Sequence, residues 1–286
     1  MRTPSLILFF GALASVGLLA QEVQQPDRPT FRAGVEMVTI SAVVRDHKGR
    51  IVQDLKQSDF QLIDNGRPRQ IADFRADRAP ISLALLFDTS GSMQVAYKAD
   101  AARAVAAQLL AWTQAGQDEV AVFSFDKTLR EIQPFTRDGA VIRQSLGHVE
   151  EPYGQTSLHD AIAETARRVA ARGGSHRGVV VLTDGVDTSS RLTPAEVSGI
   201  ASAIDVPIYI VAVVSPLDHA GQASAVVAGK ASPTGELTDL AQWTGGDMFV
   251  SSAPAQSSLA ARQIVDELRH QYLIAFEPAG KPGWHP

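Results

Sequence analysis

Three short segments of this 286-residue chain carry oxygen side chains in a pattern suited to a hard cation. The first is Asp88-Thr89-Ser90-Gly91-Ser92, in which an acid and two hydroxyls fall at alternate positions directly after the apolar run 81–87. The second is Gln155-Thr156-Ser157-Leu158. The third is Thr183-Asp184-Gly185, again at the end of an apolar run, 179–182. Carboxylate and hydroxyl oxygens suit Mg²⁺, Mn²⁺ or Ca²⁺. Asp88 and Asp184 would balance the charge of one divalent ion, and the hydroxyls of Ser90, Ser92 and Thr156, with water, would complete its shell without adding charge. Taken alone, the first segment reads equally well as a strand followed by a polar turn, since Asp, Thr, Ser and Gly all favour turns.

Other chemistries find less support. The chain has no cysteine, which excludes disulfides, a thiolate metal site and a thiol nucleophile. Gly-x-Ser-x-Gly and phosphate-loop motifs are absent from the sequence. Ser124 and Lys127 fit Ser-x-x-Lys, but no companion motif accompanies them. His159 and Asp160 are the nearest candidates for a general base. They open a helical run, where a surface histidine and a first-turn acid are ordinary. The expectation is therefore a binding protein and not an enzyme, with no catalytic residues. A hydrolase using metal-activated water and a scaffold of the same fold that binds nothing remain the alternatives.

The elements that must position these donors follow from periodicity. From residue 80 onward, apolar runs at 81–87, 120–125, 129–135, 179–182, 208–214 and 248–250 read as strands. Between them, helices are predicted over 96–115, 138–149, 158–169, 193–204, 237–243 and 255–269. Thr193, Pro194 and Glu196 form a capping box with proline in the first turn. Such alternation predicts an α/β protein with a doubly wound, mainly parallel sheet. Ligands in such sheets bind beyond the carboxyl ends of the strands, where strand order reverses. With order 3-2-1-4-5-6, the strands ending in Asp88 and Asp184 are neighbours at that point, and the loop carrying Thr156 emerges near it.

Ahead of this domain, residues 34–78 read as a small β unit. Asn65-Gly66 between 60–64 and 69–74 signals a hairpin, with Pro68 placing its second strand at an edge or after the proline. So short a segment buries little core alone. The run 272–276, at the start of a 271–286 tail, is expected to leave the main sheet and pair with this unit; an edge strand of the main sheet is the alternative. If it joins the unit, the turn at 278–283 should lead into a further strand that the chain lacks. Residues 215–236, rich in Ala, Ser and Gly, are expected to form a long loop on the metal-binding face or a filler segment.

Residues 1–20 have a basic start, an apolar middle and a small residue at the exit, the layout of a secretory signal peptide, with a linker over 21–33. The mature protein is expected to be secreted or periplasmic. Membrane contact would arise only if the segment were an uncleaved anchor. The net charge of −5, with no basic block, argues against a nucleic-acid partner.

Asp88, Ser90 and Ser92 in Asp-x-Ser-x-Ser, Thr156 in Gln-Thr-Ser-Leu and Asp184 in Leu-Thr-Asp-Gly together resemble the von Willebrand factor type A family over residues 80–270. The wider layout resembles a bacterial secreted subgroup related to that domain. The resemblance implies a Rossmann-like von Willebrand factor A fold and a metal-ion-dependent adhesion site (MIDAS) holding Mg²⁺, with Mn²⁺ or Ca²⁺ as alternatives. In the family the hydroxyls touch the metal, the acids often act through water, and a partner's acidic side chain fills the open position. The implied partner is a protein presenting Asp or Glu.

Overall fold

The apolar runs after residue 80 pair into one sheet whose order turns at its central strand. The computed structural model describes residues 37–76, 78–174, 176–214 and 233–278. The expected signal peptide and linker, most of the 215–236 loop and the end of the tail lie outside the described residues. In chain order, β1 (Val38–Ala42), β2 (Leu62–Asp64), β3 (Arg67–Arg69) and β4 (Ile71–Arg75) precede β5 (Ile81–Asp88). There follow α1 (Lys98–Trp112), β6 (Glu119–Phe125), β7 (Leu129–Thr136), α2 (Gly139–Ser145), α3 (Leu158–Ala170) and β8 (His176–Thr183). The chain continues through α4 (Pro194–Ala203), β9 (Ile208–Val213), α5 (Pro233–Trp243), β10 (Met248–Ser251), α6 (Pro254–Arg269) and β11 (Tyr272–Phe276).

The main sheet has the order β10-β9-β8-β5-β6-β7, the 3-2-1-4-5-6 arrangement expected. All its pairings are parallel except β6 with β7. Central β5 is buried at every position because helices cover both faces. Leu83, Leu85 and Phe87 join a core with Val105 and Leu109 of α1 and Ile264 and Leu268 of α6. Ala84 and Leu86 point the other way, into Ile162 and Ala166 of α3 and Val197 of α4. That two-sided burial is why these strands read as continuous apolar runs. The Thr193–Glu196 capping box is present at the start of α4.

Helix boundaries moved where local chemistry overrode periodicity. The helix expected from residue 96 begins at Lys98, because residues 91–97 form 3₁₀ turns broken by left-handed backbone at Ala96 (φ 55°) and Tyr97 (φ 58°). The helix expected over 138–149 ends at Ser145 and gives way to a 3₁₀ turn, Leu146–His148, containing the poor helix former Gly147. In contrast, α5 starts earlier than expected, at Pro233, a residue pre-set for a first helical turn.

A second, three-stranded antiparallel sheet has the order β1-β11-β4, with Ile40 opposite Ile274 and Ile274 opposite Phe74. The run 272–276 is therefore the middle strand of this sheet and not an edge of the larger one. Tyr272 ties it down: its ring lies 5.2 Å from Phe60 and 5.7 Å from Phe74, and its hydroxyl donates to the Val52 carbonyl at 2.7 Å. The Asn65-Gly66 turn, with φ 51° and 72°, joins β2 to β3. Pro68 sits within β3, opposite Ile63, which a two-stranded ribbon tolerates because the missing N–H can face outward. The expected strand 69–74 is thus divided between β3 and β4.

Candidate metal centre

Asp88 closes β5, and its carboxylate is fixed from two sides. Oδ1 accepts the Ser90 N–H at 2.9 Å, and Oδ2 accepts the Thr183 hydroxyl at 2.6 Å. The second bond follows from register. Phe87 lies opposite Leu182, so the next residues on the two strands are Asp88 and Thr183. Thr89 anchors the loop to β6, donating both its N–H (2.7 Å) and its hydroxyl (2.9 Å) to the Phe125 carbonyl.

The loop bearing Thr156 is tied to the first by backbone bonds. Tyr153 N–H donates to the Thr89 carbonyl at 2.8 Å, and Gly91 N–H to the Gly154 carbonyl at 3.0 Å. Thr156 itself is 2% exposed. Its N–H donates to the Thr188 hydroxyl at 2.9 Å and its carbonyl accepts from the N–H groups of Thr188 and Ser189. No hydrogen bond among the described residues uses its side-chain hydroxyl.

Asp184 follows β8 directly. Its Oδ2 lies 2.9 Å from Nζ of Lys98, the first residue of α1, and both side chains are largely buried. Gly185 then turns the chain with φ 84°. The three segments are thus held at one end of the β5–β8 pair.

Burial pushes the Asp88 carboxyl up to about 6, against the lowering effect of its bonds from Thr183 and Ser90, and the charge of Asp184 pushes in the same direction as burial. An ionised Asp88 here wants a cation. The donor set fits one. Ser90 Oγ and Ser92 Oγ are 3.1 Å apart; two adjacent ligands of an octahedral Mg²⁺, each at about 2.0–2.1 Å, would be about 3 Å apart. No group of three or more His, Cys, Asp and Glu side chains suited to a metal occurs among the described residues, so a nitrogen- or sulfur-based site has no support there.

Two residues at the site escaped the sequence reading. Thr183 stands in the quoted motif, and its place beside Asp88 could have been read from the strand register. Lys98 carried no signal, since its partner is 86 positions away. Among the catalytic candidates, Asp160 is engaged by backbone donors. Both Asp160 carboxylate oxygens take the Arg191 N–H at 3.1 Å, and one also takes the Leu192 N–H at 2.9 Å. His159 Nδ1 lies 3.7 Å from Asp187. The Ser124 hydroxyl is buried in β6 without a hydrogen-bond partner, and Lys127 is exposed.

Residues 83–186 match a family model described as the von Willebrand factor type A domain. No curated protein matches the chain. Among solved structures, an aerotolerance-related membrane protein from Bacteroides fragilis is similar at 18% identity and TM-score 0.53, covering 66% of this chain and 98% of that one. A von Willebrand factor type A protein from Catenulispora acidiphila is similar at 15% identity and TM-score 0.53, covering 78% and 68%. Proximal thread matrix protein 1 from the mussel byssus, in a form with a zinc-occupied MIDAS motif, is similar at 18% identity and TM-score 0.51, covering 75% and 50%. At these identities the likeness shows the shared fold.

Proposed function

We propose that this chain, which carries a von Willebrand factor type A domain matched over residues 83–186, is an extracytoplasmic protein-interaction module. It grips an acidic side chain of a partner through a divalent cation held by Asp88, Ser90, Ser92, Thr156 and Asp184. The observation that carries the reading is the environment of Asp88. It is a carboxylate 2% exposed, facing a second carboxylate and with no ion pair among the described residues, beside two serine hydroxyls at the spacing of adjacent metal ligands.

The bound ion would supply one positively charged open position. Two protein carboxylates leave it near neutral overall, so an incoming Asp or Glu oxygen is still attracted. Ser90 and Ser92 would hold it directly, Thr156 would add its unused hydroxyl, and Asp88 would stay oriented by Thr183. The fold is shared with a matrix protein whose MIDAS motif takes zinc and with a bacterial membrane protein, which supports a role in assembly or adhesion over one in catalysis. The engagement of His159 and Asp160 in structural contacts supports it further. Location outside the cytoplasm rests on the leader-like residues 1–20. No described helix is long and apolar enough to cross a membrane.

Calorimetric titration with Mn²⁺ tests the proposal. The wild-type chain should bind one ion and Asp88→Ala none. An Asp88→Ala protein that titrates like wild type would overturn the ligand assignment. A partner retained in Mn²⁺ should then be released by EDTA.

A further inference from the structure

A cation is already present beside one of the candidate ligands. Lys98 Nζ lies 2.9 Å from Asp184 Oδ2, with the two side chains 16% and 4% exposed. Its position is not what a helix would choose. Lys98 is the first residue of α1, where the helix dipole disfavours positive charge, and the preceding Tyr97 gives no side-chain cap. The contact with Asp184 therefore holds the lysine in place, and not helix preference.

The backbone just before it is strained. Ala96 and Tyr97 are consecutive non-glycine residues at φ 55° and 58°, a conformation that costs energy and persists only when its surroundings impose it. The turn is pinned on both sides. Gln94 Nε2 donates to the Pro152 carbonyl ahead of it, and Lys98 binds Asp184 behind it. Between these pins, Val95 and Tyr97 are pushed outward and are 63% and 81% exposed. Tyr153, equally exposed, stands next to Pro152 on the Thr156 loop.

We propose that Lys98 is a tethered competitor of the metal, a residue that sets how tightly the centre holds its ion. The inference rests on the metal reading above. In the metal-free protein the ammonium neutralises Asp184 and leaves Asp88 uncompensated. A divalent ion entering between the two acids takes Asp184 from Lys98, since both cations seek the same carboxylate. The lysine then leaves toward solvent, and the strained turn loses its second pin. Metal loading and the placement of Val95 and Tyr97, the exposed apolar side chains that follow Ser92, become one event. A partner is then sensed through an acid flanked by apolar residues only when the ion is present.

The test compares wild type with Lys98→Gln and Lys98→Arg, using Mn²⁺ titration and amide hydrogen exchange over residues 94–98 with and without Mn²⁺. Removing the competing charge-assisted bond should tighten Mn²⁺ binding by at least about tenfold in Lys98→Gln. Lys98→Arg, which keeps the cation, should remain near wild type. In wild type, Mn²⁺ should speed exchange over 94–98; in Lys98→Gln, exchange there should be fast without metal. Equal or weaker Mn²⁺ binding by Lys98→Gln overturns the inference while leaving the metal centre intact, as does slower exchange over 94–98 in metal-loaded wild type. Absence of Mn²⁺ binding in all three proteins overturns the metal centre, and this inference with it.

Discussion

Two carboxylates are buried at opposite ends of β5 and live in opposite surroundings. At the amino end, Asp118 is 3% exposed and saturated. One oxygen takes the Ile81 N–H at 3.0 Å; the other takes the Gln114 N–H at 2.6 Å and the Arg269 guanidinium at 2.7 Å. At the carboxyl end, Asp88 is equally buried and is held by the Thr183 hydroxyl and by Ser90, neither of which carries charge, with Asp184 adding repulsion. Asp118 joins the start of β5 to the end of α6 and the α1–β6 connection, and its charge is settled within the fold. Asp88 joins nothing that a threonine or asparagine could not join, and its charge is left open. A buried acid with its own guanidinium reads as architecture. A buried acid without a cation, among hydroxyls, reads as a place for one.

The sharpest way to break this contrast is to make the amino end resemble the carboxyl end. Arg269→Ala strips Asp118 of its cation and should cost about 3–5 kcal/mol of stability, the penalty for leaving one member of a buried pair uncompensated. Urea denaturation would measure it, and Mn²⁺ affinity of the folded protein should be unchanged. A loss below about 1 kcal/mol would mean that Asp118 is not the structural member of the comparison.

The converse change should help the fold. Because the Asp88 pKa in the folded protein is raised to about 6 from an ordinary 3.8, the folded state holds a proton there that the unfolded state has released. The contribution to stability is therefore present below pH 3.8 and is lost as pH rises through about 6. In EDTA, Asp88→Asn should remove that decline and stabilise the protein above pH 7 by about 2–3 kcal/mol. Thermal melts across pH 3–8 would show it. Asp118→Asn, by contrast, should destabilise at every neutral pH.

A smaller effect is expected one bond away. Thr183→Val removes the hydroxyl that binds Asp88 Oδ2 and should cost about 1–2 kcal/mol. By removing a bond that favours the ionised acid it should also raise the Asp88 midpoint, so the decline in EDTA should finish at a higher pH than in wild type. A midpoint that falls or stays in place would show that the hydroxyl does not stabilise the ionised acid.

Much of the main sheet was legible because its cause is local. Apart from Ser82, residues 81–87 and 179–182 are apolar without alternation, since helices cover both faces, and the Asp-x-Ser-x-Ser spacing is a property of five adjacent positions. The start of α1 was misread because apolar periodicity extends back to residue 96, while the left-handed turn at Ala96 and Tyr97 depends on contacts with Pro152 and Asp184 that no local pattern carries. The run 272–276 has the same apolar character whichever sheet receives it. Its place between β1 and β4 is fixed by pairing with residues some two hundred positions earlier and by the Tyr272 ring between Phe60 and Phe74.

By itself, the sequence determined the donors: two acids and three hydroxyls at the ends of predictable elements, in an order that the strand–helix alternation brings to one side of a sheet. Only the tertiary structure decided which acids are compensated. Arg269 reaches Asp118 across 151 positions, Lys98 reaches Asp184 across 86, and no described cation reaches Asp88. Charge compensation acts through space at a few ångströms, whereas a sequence pattern records neighbours along the chain, so the open charge at the end of β5 becomes visible only once the chain has folded around it.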